Sequence, residues 1–428
     1  MTPGATLKQP KTSVSSAIRP NHTRCRICDK PLPEPFLDLG LMPLANAFSS
    51  TREEAVAQTR HPLAVCGCLE CGFVQLNHVV PAEQLYRHYL YVSSTSDAVR
   101  AHAQWLAQTC AQRYGWSASD RLVEVASNDG TVLKAFQAAG IDVLGVEPAR
   151  NIAALAEKDG VPTVPEFFNA QTARQIRGRH GKARGLLGRH VFAHIDDVHD
   201  FFHGVERLLA DDGVAMIEVP YLRNLIANLE FDTIYHEHLS YIGLLPIAKL
   251  CRAHGWSLFD ADEISLHGGS IILHMRRGQV PVTERLERLL TEEEAMGLAS
   301  PEHLQEFGRR VLAWKRRWSD FIAGLANDGA SIVGYGAAAK GSTLLNFAPE
   351  AGRRLSALLD RSAHKQGRYS PGLGLPVAAP DAWRSVNATH MILLAWNFKD
   401  EIMRQMHDFA QTGGAFVMPV PEPEVVAA

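Results

Sequence analysis

RLVEVASNDG (residues 121–130) and IDVLGVEP (141–148), separated by a helix-like run, decide the fold. The pattern is strand, tight Gly-bearing turn, helix, and a second strand ending in an acid, which is how a doubly wound α/β domain presents a nucleoside pocket. A dinucleotide fold uses several glycines so that bare backbone can approach a pyrophosphate. This turn offers Gly130 alone and carries Asp129, with Glu124 just upstream. Carboxylates there repel phosphate and attract a cation. S-adenosylmethionine has a sulfonium, an ammonium and a ribose but no phosphate. Glu124 and Asp129 suit its charged methionyl end, and Glu147 suits its ribose hydroxyls. Ala126, Asn128, Gly130 and Pro148 complete the candidate cofactor contacts. The leading expectation is an S-adenosylmethionine-dependent methyltransferase, with an atypical NAD site or a turn that binds nothing as the alternatives.

At 428 residues the chain exceeds one ordinary core, so two or three domains are expected. A net charge of −3, with basic residues spread along the chain, gives no electrostatic footprint for nucleic acid. The N-terminal stretch lacks an apolar signal region and no later stretch approaches a spanning length, so neither secretion nor membrane insertion is expected, and a cytoplasmic location is. Seven cysteines, four of them in two tight pairs, point to metal ligation in a reducing compartment.

The expected organisation is a disordered tail (1–20), a zinc-binding module (21–80), a helical bridge (81–115), a methyltransferase domain (116–278), a helical linker (279–327) and a C-terminal α/β domain (328–420). In the module, Cys25 and Cys28 form one C-x-x-C knuckle and Cys68 and Cys71 another. Such knuckles supply a closed Cys₄ site, as in a zinc ribbon, which is structural because four thiolates leave the metal no open position. Cys66 is a possible competing ligand; Cys110 and Cys251 stand in apolar settings and read as buried. In the methyltransferase domain, WSLFDADEIS and SIILHMRR follow one another without a helix and should form a hairpin around His267 and Gly269, an antiparallel end on a parallel sheet.

SIVGYGAAAKGSTLLN opens a second nucleotide-type fold of opposite charge: Lys340, Ser342 and Thr343 gather at a helix N-terminus, which favours a phosphate-bearing ligand. HMILLAW ends at Trp396 and Asn397, again at a strand's C-terminal edge. A cation pocket and a diphosphate pocket together describe a methyl donor and a nucleotide-linked acceptor. Between them lies FDTIYHEHLSYIG (231–243), which concentrates Tyr235, His236, Glu237, His238 and Tyr241. Methylation at carbon needs a base near neutral pKa and a donor for the developing oxyanion, roles suited to histidine and tyrosine. His236 and His238 are too close in sequence for the two-histidine helix face of a zincin. His194, in HVFAHIDD, is a further candidate for the same cleft.

Taken together, these motifs resemble the sugar C-methyltransferase family, the nucleotide-diphospho-hexose 3-C-methyltransferases of deoxysugar biosynthesis. The likeness runs through the four cysteines, Tyr89 and Tyr91 before a Ser-rich turn, EVASNDG, VFAHI, IYHEHLSY, LHGGS, GYGAAAKGSTLLN, PGLGLPV and LAWNF. The resemblance implies a class I methyltransferase Rossmann-like domain flanked by a zinc-ribbon-like module and a second Rossmann-like domain, with an NDP-linked keto-sugar, dTDP or similar, as acceptor. His238 would be the base, with Tyr235, Glu237, Tyr89 and Tyr91 shaping the sugar site. The C-terminal domain would hold the nucleotide diphosphate, which adds Tyr335 to the candidate substrate contacts, and His190 of the methyltransferase domain is a further candidate. His190 stands where relatives often have Asn, and Ala126 where they often have Gly. O- or N-methylation of the same sugar class, an NAD-dependent oxidoreductase using GYGAAAKG, and a zinc-ribbon binding module with degenerate catalytic domains are the remaining alternatives.

Overall fold

The computed structural model describes residues 21–86, 92–95 and 97–426. Strands β1 (Leu37–Met42), β2 (His61–Gly67) and β3 (Val74–Leu76) carry the knuckle-bearing region. Strands β4 (Arg121–Val125), β5 (Asp142–Val146), β6 (Thr163–Val164), β7 (Ala183–Arg189) and β8 (Leu209–Pro220) alternate with helices, as the sequence pattern dictates. A two-residue strand, β9 (Ser240–Tyr241), precedes the hairpin of β10 (Trp256–Ile264) and β11 (Ser270–Arg277). The C-terminal region holds β12 (Ile332–Tyr335), β13 (Leu355–Leu359), β14 (Val377–Ala378), β15 (His390–Leu393), β16 (Ala415–Met418) and β17 (Glu424–Val426).

The central sheet runs β10-β11-β8-β7-β4-β5-β6. Strands β4 to β8 pair parallel, while β11 joins β8 antiparallel and closes the sheet with β10. Val123, Val125, Leu186, Leu187, Ile217 and Val219 are buried, as strands covered by helices on both faces require. Asn169 and Asp197 cap the N-termini of the flanking helices Ala170–His180 and Val198–Leu208. The C-terminal sheet, β14-β13-β12-β15-β16-β17, is parallel except for β17.

The third sheet crosses an expected boundary. Its order is β1-β2-β3-β9, so the knuckle module is completed by Ser240 and Tyr241, which lie in the chain between β8 and β10 of the central sheet, with Val74 opposite Tyr241 and Gln75 opposite Ser240. Arg26 fastens the same junction, donating to Asp196 and to the carbonyls of Leu76 and Leu239. Two apolar cores run through it: one joins Leu37, Leu63 and Leu76 to Leu225, Trp314 and Leu344, the other joins Cys25, Cys68 and Phe73 to the central sheet. Nor is the expected linker a spacer. The helix Pro301–Asn327 starts on a Ser300 cap and buries Trp314 and Trp318, stacked at 5.4 Å, with the Trp314 indole donating to the Pro419 carbonyl. Among the described residues no helix is long and apolar enough to cross a membrane.

Candidate active site

A cavity of about 570 Å³ opens at the C-terminal ends of β4, β5 and β7, where open α/β sheets bind ligands. Asn46 comes to it from the knuckle module, Glu124 and Glu147 from the central sheet, Tyr235 and His238 from the segment that follows, and Lys340 and Asn397 from the C-terminal domain. The acid-lined and lysine-bearing crevices therefore meet at His238.

On the central-sheet side, Ala126 and Asn128 take left-handed backbone at φ 54° and 51°, where glycine is the comfortable residue; for Ala126 this costs on the order of 1 kcal/mol. The distortion turns the chain so that Glu147 accepts from the backbone N–H of Asn128 at 2.9 Å and of Ala149 at 2.8 Å. Each carboxylate oxygen keeps a lone pair for a ligand hydroxyl. Glu124 is buried beneath, and burial pushes its carboxyl up to about 8; its Oε2 has no hydrogen-bond partner among the described residues. An orphaned buried carboxyl in a cavity fits a cationic ligand. Asp129 is placed otherwise: it accepts from Thr131 and from the Ser94 N–H, shaping the turn instead of lining the cavity, and Gly130 caps the helix behind it. Pro148 lines the cavity.

His238 lines the cavity beside Tyr235. Its Nδ1 lies 2.8 Å from the Thr233 carbonyl, which can only accept, so Nδ1 carries the proton and Nε2 accepts from the Tyr235 hydroxyl at 2.9 Å. Burial, reinforced by the neighbouring His194, holds His238 well below the ordinary imidazole value, so it is neutral. His194 lies 5.0 Å away, ring to ring, stacks on Tyr86 at 5.5 Å and is pushed down to about 3 by burial; its Nε2 lacks a hydrogen-bond partner among the described residues. Glu237 is not among the lining residues; it accepts from the Asn46 amide at 3.0 Å and so orients a residue that is. His236 is buried among His61 and His78. Tyr89, Tyr91 and the side chain of His267 lie outside the described residues.

His190 also takes a left-handed φ of 50°, a conformation that Asn and His tolerate better than most. Its Nε2 sits 3.0 Å from Glu218, a fully buried carboxylate that also receives His102 at 2.7 Å and the Arg189 guanidinium at 3.1 Å. Burial would raise the Glu218 carboxyl, yet Arg189 and the two histidines hold it well below the usual carboxylate range.

On the C-terminal side, Lys340 and Asn397 line the cavity, but Ser342 and Thr343 are buried behind it; Thr343 donates to the Ile234 carbonyl, pinning its helix to the His238 segment. Tyr335 donates to Gln405 away from the cavity, and Gly269 packs against Asn224. Among the lining residues not singled out from sequence are Asn46, Tyr86 and Lys365, the last donating to the Ala337 carbonyl at 2.8 Å. Asn46 lies in the PLANAF stretch between the knuckles, the one place where a polar residue inside an apolar run hinted at it.

In the knuckle module, the sulfurs of Cys25, Cys28, Cys68 and Cys71 all lie within 4.8 Å of one another. Zinc–sulfur bonds of about 2.3 Å set a tetrahedral edge of about 3.8 Å, so the set fits a zinc ion. Cys66, on β2, is buried outside the set, and Cys110 and Cys251 contact the sulfurs of Met216 and Met275.

Three family models tile the chain: a zinc binding domain (residues 25–86), a methyltransferase domain (99–260) and a C-methyltransferase C-terminal domain (265–421). The C-methyltransferase NovU of Streptomyces niveus is 36% identical over 409 residues, covering 94% of this chain and 97% of NovU. The chain belongs to the C-methyltransferase family. The enzyme is thus an S-adenosylmethionine-dependent methyltransferase with a zinc-binding module, α/β throughout its catalytic and C-terminal domains. Solved structures are similar over part of the chain. An S-adenosylmethionine-dependent methyltransferase from Clostridium acetobutylicum is 12% identical, covering 44% of this chain and 94% of its own, at a TM-score of 0.35. Magnesium protoporphyrin IX methyltransferase from Synechocystis PCC 6803 is 14% identical, covering 46% and 92%, at 0.33.

Proposed function

We propose that the enzyme, acting in the cytoplasm, methylates a ring carbon of an NDP-linked keto-deoxysugar, with His238 as the base that forms the enolate. The observation that carries this reading is the single cavity in which Glu124 and Glu147, the His238–Tyr235 pair, and Lys340, Lys365 and Asn397 all meet. S-adenosylmethionine supplies an electrophilic methyl group and leaves as a neutral thioether. Glu124 would face its charged methionyl end and Glu147 would hold its ribose hydroxyls.

His238 presents an unprotonated Nε2 because Thr233 fixes the other tautomer. It takes the proton next to the ketone; the C–H pair becomes the enolate C=C and the carbonyl π pair moves to oxygen. The enolate carbon then forms its bond to the methyl group as the methyl–sulfur bond breaks, and the carbonyl returns. A depressed pKa makes free His238 a weak base, but the anionic carrier of the acceptor brings negative charge into the cavity and raises it on binding. On acceptor binding the Tyr235 O–H turns from Nε2, freeing that lone pair, and with His194 supplies a hydrogen-bond donor beside the reacting centre.

The test is incubation with labelled S-adenosylmethionine and dTDP-4-keto-6-deoxyglucose, or with the same sugar reduced to its alcohol. C-methylation requires the ketone, so label should enter only the keto form. Labelling of the alcohol would replace this reading with O-methylation.

A further inference from the structure

Lys340 stands at a position that a second nucleotide-type fold would give to phosphate, yet its surroundings are wrong for a polyanion. The side chain lies 4.0 Å from the centroid of the Trp396 ring. That indole donates to Asp232 at 2.6 Å, and Asp232 is completely buried. Glu230, also buried, lies beside the same indole, since a Cβ on Gly268 would touch both. Two carboxyl groups thus face one ammonium, and a diphosphate brought to Lys340 would meet them as well. Lys340 Nζ is sealed from solvent and has no hydrogen-bond partner among the described residues. A buried ammonium without a hydrogen-bond acceptor carries a desolvation cost that a ligand oxygen can relieve.

The location narrows that atom. Lys340 sits in the first turn of the helix Ala339–Phe347, whose positive end reaches the cavity through Ala338 and Ala339. Thr343 of this helix bonds to the carbonyl of Ile234, the residue before Tyr235, so Lys340 is held on an element packed against the His238 segment. Lys365 lines the cavity away from this carboxylate pair, beside the Ala337 carbonyl. We infer that Lys340 is the fixed cation that stabilises the negative charge developing on the acceptor's enolate oxygen, and that the diphosphate is held elsewhere, on the Lys365 and Asn397 side. Asp232, Glu230 and Trp396 position the ammonium. The cation adds no covalent step: it faces the oxygen that gains the carbonyl π pair while His238 holds the proton. This assignment rests on the keto-sugar reading above.

The experiment compares wild type, Lys340→Gln and Lys340→Arg with dTDP-4-keto-6-deoxyglucose. Three quantities are read: kcat and KM for methyl transfer; deuterium wash-in next to the ketone with S-adenosylhomocysteine bound; and the Kd of thymidine diphosphate. Lys340→Gln should lower kcat and wash-in together by about 10²–10³-fold, the scale of a lost oxyanion donor. KM and the thymidine diphosphate Kd should stay within about threefold, and Lys340→Arg should recover at least about tenfold of the loss. A Kd raised about tenfold or more with kcat preserved would make Lys340 a phosphate ligand and overturn the inference. Equal losses in both variants, with lowered melting temperature and lost S-adenosylhomocysteine binding, would make its role structural and overturn it too. A wild-type enzyme that neither exchanges nor methylates the ketone refutes the keto-sugar reading itself, which the wild-type arm reveals on its own.

Discussion

His238→Asn is the sharpest perturbation of the proposed chemistry. Asparagine can still donate to the Thr233 carbonyl, so the segment keeps one of the two hydrogen bonds that fix the imidazole, while the Nε2 lone pair facing Tyr235 is lost. A positioned general base is worth about 10²–10⁴-fold, or about 2.7–5.4 kcal/mol of transition-state stabilisation. Turnover at saturating substrates should fall by that factor, whereas S-adenosylhomocysteine affinity by calorimetry should hold within about twofold, because the donor-side carboxylates are on other strands. Because His238 titrates well below the ordinary imidazole range, wild-type kcat/KM in the free enzyme should lose its acid limb only below about pH 6.5. Retention of more than about a tenth of wild-type turnover by His238→Asn would show that another group takes the proton, and the base assignment would be wrong.

Other consequences are measurable. Glu124 keeps a proton up to about 8 in the folded protein and loses it near 4.5 when unfolded, so its contribution to stability is complete below that lower value and fades as pH climbs toward 8. A ligand ammonium beside it favours the ionised form, so S-adenosylhomocysteine binding near pH 7 should release protons, seen as buffer-dependent calorimetric enthalpy; Glu124→Gln should abolish that dependence, and its persistence would exclude Glu124 as the source. Cys28→Ser should lower bound zinc, measured by atomic emission, and lower activity through loss of the Asn46 wall; full activity in a metal-free protein would contradict a structural metal. Trp314→Ala empties a site packed by Trp318 and Phe231 and strands the Pro419 carbonyl, at a cost of about 3–5 kcal/mol, read as a lower urea midpoint; a shift worth under about 1 kcal/mol would mean the site collapses around the gap.

The legible parts of this chain were those whose cause is local. The two knuckles declared their sulfur set by spacing alone, and the strand-turn-helix starts at Arg121 and Ile332 announced both parallel sheets. The absence of a helix between β10 and β11 foretold their antiparallel pairing. What stayed hidden depended on contacts distant in sequence. Asp129 reads as a ligand acid until Thr131 and Ser94 are seen to occupy it. Ser342 and Thr343 read as phosphate donors because their helix face is not encoded by position at an N-terminus, and here that face is turned into the core. Lys365, in the turn between β13 and β14, follows no motif, and its ammonium is held at the cavity by the carbonyl of Ala337 in the loop after β12. The stretch 301–327 reads as a charged helical linker, and the burial of its tryptophans is set by partners distant in sequence such as Phe231 and Pro419.

Ser240 and Tyr241 belong to one domain by chain and to another by hydrogen bonding, only two residues beyond His238. Recombining this enzyme with a relative is therefore constrained at an unobvious seam. A chimera that imports residues 25–86 alone would set a foreign edge against β9 and drag the His238 loop out of alignment, so the cysteine-bearing module and residues 231–241 must travel as one inheritable block.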